Sequence, residues 1–327
     1  MVRYQRSQRR LILHQPNKHQ KLADRLEVAG VDVRFVNVTM HHKFAIVDST
    51  ELITGSCNWT RSAFKRYDED LLTFKNEQPY IDAFRGEFQK LWSGSQEYGM
   101  TLFKPTIVKA TKPAFARVLF TSSNMVQKDR KGKQIFSSTA QLPGVCGREI
   151  IEAIDKAEKT IDIATAHFRR QDIAKALENA MGRGVRVRIL LDMQEYHPVT
   201  TVMKDARYDE GLAEIGAKVK YKCYGTKWTY QRALQMHCKF MIVDSSTVLT
   251  GSLNWSQTSE LKTMENLTVL DRPAIARSYS KRYEIMRNYG KGTFPAVLEN
   301  VRTNMEDDYW FSPVSVSGKK VSRLLQD

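Results

Sequence analysis

Histidine, lysine and asparagine occur twice in this chain at the same spacing. The pattern His-x-Lys-x4-Asp-x6-Gly-Ser-x-Asn runs from His41 to Asn58 and again from His237 to Asn254. A neutral imidazole can attack phosphorus and carry the phosphoryl group covalently. A second, protonated imidazole can give a proton to the departing oxygen. The two motifs therefore contain both groups that a two-step displacement at phosphorus requires.

Each motif also contains a lysine two residues after its histidine, Lys43 in the first copy and Lys239 in the second. Residues i and i+2 of an extended segment project from the same face, so each lysine accompanies its histidine. Ammonium groups and the two motif asparagines can hold the non-bridging phosphate oxygens as negative charge builds. This arrangement supplies the positive charge that Mg²⁺ often provides, so the pattern predicts neither a metal nor another cofactor.

The motifs belong to a longer internal repeat. Residues 40–59 align with residues 236–255 at a constant offset of 196, and 13 of the 20 aligned positions are identical. Duplication of one ancestral lobe explains this identity. In each copy a short apolar run rich in β-branched residues indicates a strand, at 44–47 or at 240–243. A turn, a second strand and a helix are predicted after it.

Strands and helices alternate upstream of the second motif. The pattern predicts a helix over 149–159, a strand over 160–164, a helix over 172–181 and a strand over 185–191. Such alternation is typical of βαβ units. The sequence therefore predicts an α/β fold with two lobes, each a mostly parallel mixed sheet flanked by helices.

The first copy is shorter than the second at its amino-terminal side. Aligning residues 11–13 with 189–191 leaves no counterpart for roughly residues 115–178, which hold the amino-terminal βαβα portion of the second copy. A partner chain supplying these elements, a truncated product and a naturally reduced lobe all remain open. The predicted boundaries are 1–99 for the first lobe, 100–114 for a linker, 115–290 for the complete second lobe and 291–327 for a carboxy-terminal tail.

The duplicated motif resembles the signature of the phospholipase D superfamily over residues 40–70 and 236–266. Its Met-His-x-Lys-Phe and Gly-Ser-x-Asn-Trp sequences are most similar to those of the Zucchini and mitochondrial cardiolipin hydrolase branch and its bacterial endonuclease relatives. The resemblance implies that the two motifs meet across a pseudo-twofold axis and form one active site. It also implies that the first motif supplies the nucleophile, His41, and the second the general acid, His237.

The resemblance further implies a role for Glu69 and Glu265, which each lie 28 residues after a motif histidine. Each is expected to hydrogen-bond the far ring nitrogen, which fixes the tautomer and raises the basicity of the reacting nitrogen. The next residue is Asn266 in the second copy, as in the family pattern, but Asp70 in the first. The first lobe therefore departs from the pattern at this position.

Supporting roles are expected for four further motif residues. Asp48 and Asp244 brace the strand that follows each motif histidine. Ser56 and Ser252 lie in Gly-Ser pairs, which are either plain turns or turns whose N–H groups and hydroxyl approach phosphate. His167 follows a predicted strand and is a candidate for the edge of the site. The remaining notable residues of the repeat are expected to be structural: His42, Cys57, Trp59, Cys238 and Trp255.

Charge and one insertion bear on the substrate. Lysine and arginine outnumber aspartate and glutamate by 51 to 36, and the net charge of +15 suits nucleic acid or an acidic membrane. The second copy also has ten extra residues before its motif, in which aromatic and basic side chains alternate as in surfaces that bind single strands. A plain exposed loop is the alternative. The candidate substrate-binding residues are Lys227, Trp228, Tyr230 and Arg232.

These features favour a nuclease that acts on single-stranded DNA or RNA. A phospholipase D or phosphatidyltransferase that acts on an anionic phospholipid such as cardiolipin is the alternative, and a non-catalytic binding or scaffold protein is a third class. No apolar run approaches the ~18 residues of a membrane span, so no transmembrane segment is expected. The four scattered cysteines form no C-x-x-C pair, so an intracellular location, cytoplasmic or mitochondrial, is expected.

Overall fold

The computed structural model of the chain describes residues 9–14, 16–36, 39–97, 115–130, 133–138, 140–192, 208–222 and 235–288. The predicted linker (100–114), the insertion that carries Lys227, Trp228, Tyr230 and Arg232, and the predicted tail (291–327) lie outside the described residues. The elements of the first lobe are β1 (Arg10–His14), α1 (Pro16–Val28), β2 (Asp32–Val36), β3 (Thr39–Met40), β4 (Phe44–Val47), β5 (Glu51–Gly55), α2 (Arg61–Arg66), β6 (Leu71–Lys75), α3 (Gln78–Ser93) and β7 (Gln96–Glu97).

The second lobe has more elements, as the longer repeat predicts. Its first part contains β8 (Val118–Phe120), a 3-10 turn (Thr121–Asn124), β9 (Met125–Arg130), β10 (Lys133–Ser138), α4 (Gly144–Asp155), β11 (Thr160–Thr165), β12 (Phe168–Arg169), α5 (Gln171–Gly182) and β13 (Arg186–Asp192). Its second part contains α6 (Tyr208–Glu214), β14 (Lys218–Lys222), β15 (Lys239–Val243), β16 (Thr247–Gly251), β17 (Trp255–Ser256), α7 (Gln257–Lys262), β18 (Thr263–Met264), β19 (Asn266–Asp271) and α8 (Pro273–Arg287).

A seven-stranded sheet in the order β14-β13-β11-β15-β16-β19-β8 forms the centre of the second lobe. Strands β14, β13 and β11 are parallel, whereas every later pair is antiparallel. The predicted α/β class is confirmed, but the sheet has more antiparallel than parallel pairs. The reason is that each motif is itself a hairpin, which needs only a short turn, whereas a parallel pair needs a crossover.

The same tight turn closes the hairpin of each motif. Asp48 and Ser49 between β4 and β5 have φ angles of 49° and 61°, and Asp244 and Ser245 between β15 and β16 have φ angles of 48° and 56°. Each Asp-Ser pair lies at the centre of a four-residue turn, closed by Thr50 N–H donating to Val47 O or Ser246 N–H to Val243 O. Positive φ at both central residues matches the right-handed twist of the strands. The duplicated Asp-Ser pair therefore serves the hairpin, and through it the register of each motif.

Apolar side chains from both lobes share one buried cluster. Leu52, Phe74 and Phe84 of the first lobe pack with Phe240 and Tyr283 of the second. Burying a large apolar side chain contributes about 1.5–3 kcal/mol, so a joint cluster of this kind fixes the two lobes relative to each other. The two motif hairpins are consequently part of one rigid unit.

The sheet of the first lobe is divided into two small sheets, β1-β2-β7 and β4-β5-β6. The parallel pair β1·β2 corresponds to β13·β14 of the second lobe. In the second lobe β11 lies between β13 and β15 and pairs with both. No strand of the described residues occupies that position between β1 and β4, which agrees with the shorter first copy.

Sequence periodicity located most of the regular elements but not all of their ends. Helix α4 begins at Gly144, five residues before the predicted start, because the apolar face continues through Cys146 and Ile150. The charged residues 127–130 form most of β9, and Lys133 begins its antiparallel partner strand, β10. In the described ranges, no helix is long and apolar enough to span a bilayer.

Candidate active site

The two lobes meet through the segments that precede the motif histidines. Strand β3 of the first lobe pairs with β18 of the second, and Met40 lies opposite Met264. An isolated bridge between Asp68 and Met236 repeats this contact with the lobes exchanged. The backbone N–H of each motif histidine donates across the interface, to Met264 O at 2.9 Å and to Asp68 O at 2.8 Å. Each histidine is thereby placed beside the glutamate of the other lobe.

The glutamates are exchanged between the lobes. His41 Nδ1 lies 2.8 and 2.9 Å from the two carboxylate oxygens of Glu265. His237 Nδ1 lies 2.8 Å from Oε1 of Glu69. In both pairs the contact engages Nδ1 and leaves Nε2 for a substrate. The sequence predicted a contact with the far ring nitrogen, but it did not predict that each glutamate comes from the opposite lobe.

The Gly-Ser pairs position these glutamates. Ser56 Oγ donates to Glu69 and Ser252 Oγ donates to Glu265, both at 2.6 Å. The same hydroxyls accept the backbone N–H of the residue after each glutamate, at 2.9 and 3.0 Å. A Cβ at the preceding glycine would lie 2.3 Å from a backbone carbonyl oxygen in either copy, so glycine is required there. Each serine hydroxyl is therefore hydrogen-bonded to a glutamate and positions it. The expected contact of these turns with phosphate stays a prediction.

Both motif lysines are buried beside the histidines. Lys239 Nζ donates to the backbone carbonyl of His237 at 2.6 Å, and Lys43 Nζ donates to that of His41. The pKa of Lys43 is lowered to about 7, chiefly by burial and also by the charge of Lys239, against the attraction of Glu265 and Glu69. Burial also lowers the pKa of Lys239. An arriving phosphate would reverse these shifts, because its charge favours the ammonium form.

The histidines lie close enough to influence each other. Burial lowers the pKa of His237 well below its ordinary value, and Lys239, Lys43 and His41 add to this effect. Burial also lowers the pKa of His41, but the negative charge of Glu265 opposes the shift. Two neutral imidazoles in a cluster of ammonium groups suit the binding of a phosphate anion.

The two glutamates have opposite pKa shifts. Burial raises the pKa of Glu69 to about 7, and the charge of Asp70 adds to the rise, whereas Lys239 and Ser56 oppose it. Burial alone would also raise the pKa of Glu265, but the attraction of His41 and Lys43 outweighs it, and the pKa is lowered. The site therefore contains one ionised glutamate and one that keeps its proton to near neutral pH.

The other predicted site residues are distributed as follows. Asn58 and Asn254 are half-buried in the loops that follow β5 and β16. His167 is half-buried, and it is near enough to lower the pKa of His237. Asp244 accepts three backbone N–H groups, those of residues 158, 159 and 160 at 2.8–2.9 Å, and thus braces the start of β11. Asp48 lies at the equivalent position of the first-lobe turn. The described first lobe has no strand equivalent to β11 for it to brace.

Three residues near the histidines were not singled out from the sequence. Thr263 Oγ1 donates to Glu265 Oε1 at 2.9 Å. Tyr67, at the corresponding position of the first lobe, instead lies with its ring centroid 6.3 Å from that of His237. Ser256 begins α7 as its N-cap, as Thr60 does for α2. Extending the alignment at the offset of 196 to residues 60–67 would have identified all these positions.

His42 and Trp255 have the structural positions expected of them, but Trp59 does not. His42 is buried and contacts Glu87 at 3.3 Å and the Asn266 amide at 3.2 Å. Trp255 is 2% exposed, whereas Trp59 is 53% exposed, so the prediction that both are core residues is wrong for Trp59. Within the described ranges, no group of three or more histidine, cysteine or carboxylate side chains could hold a metal ion.

A family model described as "Cardiolipin synthase, PLD-like domain" matches residues 9–92 and 150–287, which include both motifs and both glutamates. This chain belongs to the phospholipase D-like family. The human mitochondrial cardiolipin hydrolase is 40% identical over 82 residues, which are 24% of this chain and 32% of that protein. The chain thus spans about a third of the length of this relative.

Two solved structures are similar to parts of the chain. Phosphatidylserine synthase from Haemophilus influenzae has a TM-score of 0.51 and 13% identity, covering 82% of this chain and 68% of that one. The phospholipase D family member Nuc from Salmonella typhimurium is 29% identical, with a TM-score of 0.38, and covers 45% of this chain and 90% of that one. The first likeness supports the two-lobed fold alone, because the identity is low.

Proposed function

We propose that this phospholipase D-like enzyme is a metal-independent phosphodiesterase that works through a phosphohistidine and acts on single-stranded nucleic acid. The observation that carries the proposal is the exchange of glutamates between the lobes. It gives two histidines the same orientation but leaves their carboxylate partners in different protonation states. This inequality suits two-step displacement, since one histidine must be an electron-pair donor and the other a proton donor.

His41 is the proposed nucleophile. Its partner Glu265 is ionised, so the contact is a hydrogen bond only if Nδ1 carries the proton. That tautomer directs the lone pair of Nε2 away from Glu265 and toward the substrate. The buried carboxylate also stabilises the positive charge that develops on the ring during attack.

His237 is the proposed general acid. Its partner Glu69 has a pKa of about 7, so the pair retains an additional proton up to near neutral pH. A protonated Glu69 donates to Nδ1 of His237, and the ring then carries its own proton on Nε2. This is the nitrogen that must protonate the leaving oxygen, and the proton lost from the ring is replaced from Glu69.

The proposed reaction balances without a metal ion. Nε2 of His41 forms a bond to phosphorus as the bond to the leaving oxygen breaks, and His237 gives that oxygen its proton. A water molecule then attacks the phosphohistidine and loses a proton to His237, which releases a phosphomonoester and restores His41. Lys43 and Lys239, with Asn58 and Asn254, would bind the non-bridging oxygens throughout.

The preference for nucleic acid rests on charge. The chain carries a net charge of +15, which favours a polyanion. The alternative substrate is an anionic phospholipid such as cardiolipin, and the similarity to a mitochondrial cardiolipin hydrolase favours it, as well as a mitochondrial location. A partner chain that completes the first lobe is compatible with either substrate.

The test is a parallel assay of the purified chain with excess EDTA on labelled single-stranded DNA, single-stranded RNA and cardiolipin vesicles. We expect cleavage of at least one nucleic acid that persists in EDTA and disappears in both His41→Ala and His237→Ala. Turnover restricted to the vesicles would establish the lipid alternative. Turnover that EDTA abolishes and Mg²⁺ or Zn²⁺ restores would show that the proposed mechanism is wrong.

A further inference from the structure

An aromatic and basic patch lies on helix α2 and the residue pair before it. We define the α2 patch as Trp59, Arg61, Phe64, Lys65 and Arg66, all of which are exposed. Trp59 is 53% exposed and Phe64 is 65% exposed. Two large aromatic side chains this exposed within six residues are unusual on a surface that binds nothing.

The corresponding positions of the second lobe are interior or polar. Trp255, the counterpart of Trp59, is buried against Phe168 with ring centroids 5.9 Å apart. Glu260, the counterpart of Phe64, is fully buried and accepts the backbone N–H of Cys146 at 3.0 Å. Phe168 and Cys146 belong to elements that the described first lobe lacks, so the same surface of the first lobe is open.

The residue types on the open surface do not merely reflect the loss of a covering layer. Arg61 and Lys65 replace Gln257 and Leu261 of the second lobe, and an aromatic ring replaces Glu260. An uncovered surface without a ligand would be expected to become polar, because exposed rings promote aggregation. The combination found here, rings with cations between them, is the one that binds single-stranded nucleic acid.

The α2 patch adjoins the candidate active site on both sides in sequence. Asn58 precedes it directly, and the segment that follows α2 contains Tyr67 and Glu69. Glu69 holds His237 at 2.8 Å, and the Tyr67 ring is centred 6.3 Å from the His237 ring at an interplanar angle of 47°. The α2 patch is therefore joined at one end to Asn58 and at the other to Tyr67, whose ring lies beside His237.

We propose that the α2 patch binds the part of a single strand that flanks the scissile phosphodiester. Bases stack on Trp59 and Phe64, and Arg61 and Lys65 contact the phosphates between them. A membrane surface fits the patch less well. Helix α2 has only six residues, so the apolar surface it could insert into lipid is limited to the rings of Trp59 and Phe64, too little to hold an interfacial helix in a bilayer. The proposal rests on the proposed function for the cleaved bond, but strand binding can be tested without cleavage.

Two substrates of different length separate the patch from the catalytic groups. Bis(p-nitrophenyl) phosphate occupies only the site of the histidines, whereas a 12-nucleotide single strand also reaches α2. In Trp59→Ala and Phe64→Ala we expect the ratio of kcat/KM for the oligonucleotide to kcat/KM for the small diester to fall about 5- to 150-fold, since each stacked base contributes about 1–3 kcal/mol. The double variant Arg61→Glu, Lys65→Glu changes only exposed side chains, so the core stays intact. It should lower the same ratio and make oligonucleotide binding less dependent on salt.

Binding is measured separately by fluorescence anisotropy of the labelled oligonucleotide in the His41→Ala background. The matched controls come from the same positions of the second lobe, Gln257→Ala and Lys262→Ala, and from an exposed apolar residue elsewhere, Ile285→Ala. Weaker binding in the patch variants alone supports the proposal. This holds even if the unsubstituted chain cleaves no oligonucleotide, an outcome that would contradict only the proposed function.

Several results would overturn the proposal. Unchanged oligonucleotide affinity in all patch variants would show that α2 binds no strand. An equal loss of activity on both substrates would show that the patch residues support the site itself. Weaker binding to vesicles of cardiolipin and phosphatidylcholine, with unchanged oligonucleotide affinity, would assign the patch to a membrane. A stable oligomer in which acrylamide no longer quenches Trp59, in a variant with its other tryptophans replaced by phenylalanine, would assign it to a second copy of the chain.

Discussion

The two histidines are held by equivalent contacts, but their glutamate partners have unequal surroundings. Glu265 contacts His41 through both carboxylate oxygens and also accepts the hydroxyls of Ser252 and Thr263. Glu69 contacts His237 through one oxygen, and its pKa is raised to about 7. Duplication therefore preserved the hydrogen-bond geometry while the charge of the two halves diverged. This difference would suit the proposed covalent mechanism, because its two histidines have opposite tasks.

Two substitutions between the copies lie next to the glutamates. Thr263 donates a hydrogen bond to Glu265, whereas Tyr67 at the matching position packs its ring near His237. Asn266 is neutral and follows Glu265, whereas Asp70 is negative, follows Glu69 and adds to the rise in its pKa that burial causes. The departure from the family pattern at residue 70 thus lies beside the proposed general acid, His237, and not beside the proposed nucleophile, His41.

The largest effect is expected from removing either histidine. His41→Ala should lower kcat/KM for a nucleic-acid diester by at least about 10⁴-fold, since it removes the group that forms the bond to phosphorus. His237→Ala should lower it by about 10²- to 10⁴-fold, the usual contribution of a general acid.

A good leaving group distinguishes the two tasks of the histidines. With a p-nitrophenyl diester, which needs little protonation, His237→Ala should accumulate a phosphoryl group on His41, detected by peptide mapping after a quench without acid. His41→Ala should form no adduct. An adduct on His237 would reverse the assignment, and the absence of any adduct would favour direct attack by water.

The glutamates should tolerate amide substitution unequally. Glu265→Gln removes the ionised partner of the nucleophile, so we expect a loss of about 10²-fold or more in kcat. With a p-nitrophenyl diester, which needs little protonation, Glu69→Gln should cost only about 10-fold, because an amide N–H can still donate to Nδ1 of His237 and its inability to replace the ring proton matters little. Circular dichroism of both variants controls for unfolding. Equal losses would show that the two pairs have the same charge, against the comparison made here.

The pH dependence of kcat/KM should report the same difference. Activity should rise with pH as His41 loses its proton, at a pKa below its ordinary value, and fall as the His237 and Glu69 pair loses its proton near pH 7. Asp70→Asn removes a negative charge that raises the pKa of Glu69, so the alkaline limb should move to lower pH. Thr250 and Tyr279 donate to Asp70, and an asparagine oxygen can still accept from them. An alkaline limb that does not move would remove Glu69 from the assignment.

Sequence reasoning located the residues of the candidate site better than the contacts between them. The duplicated motif specified His41, Lys43, His237 and Lys239, because the types and spacing of these residues are dictated by phosphoryl transfer. The exchange of Glu69 and Glu265 depends on the pairing of β3 with β18 and on the Asp68 bridge, which join residues about 200 positions apart. Local periodicity carries no information about such pairs.

The exposed tryptophan shows a second limit of the sequence. Trp59 and Trp255 belong to nearly identical segments, and both were expected in the core. The difference between them comes from Phe168, which covers Trp255 in the second lobe and has no counterpart in the described first lobe. The gap was visible in the repeat, but which side chains it uncovers depends on packing across the sheet.

The smallest effect concerns proton uptake by the buried lysines. The pKa of Lys43 is lowered to about 7, so at pH 8 most molecules hold it neutral. An anion bound at the histidines favours the ammonium form, and binding should therefore take up protons at pH 8 and few at pH 5.5, where Lys43 is already charged. Sulfate is the suitable probe because it does not titrate in this range.

The number of protons taken up is the slope of the binding enthalpy of sulfate against the ionisation enthalpy of the buffer. Lys43→Met should abolish the proton uptake by this lysine and leave the uptake by Glu69. Glu69→Gln should do the reverse. Uptake that neither substitution changes would show that another group responds to the anion.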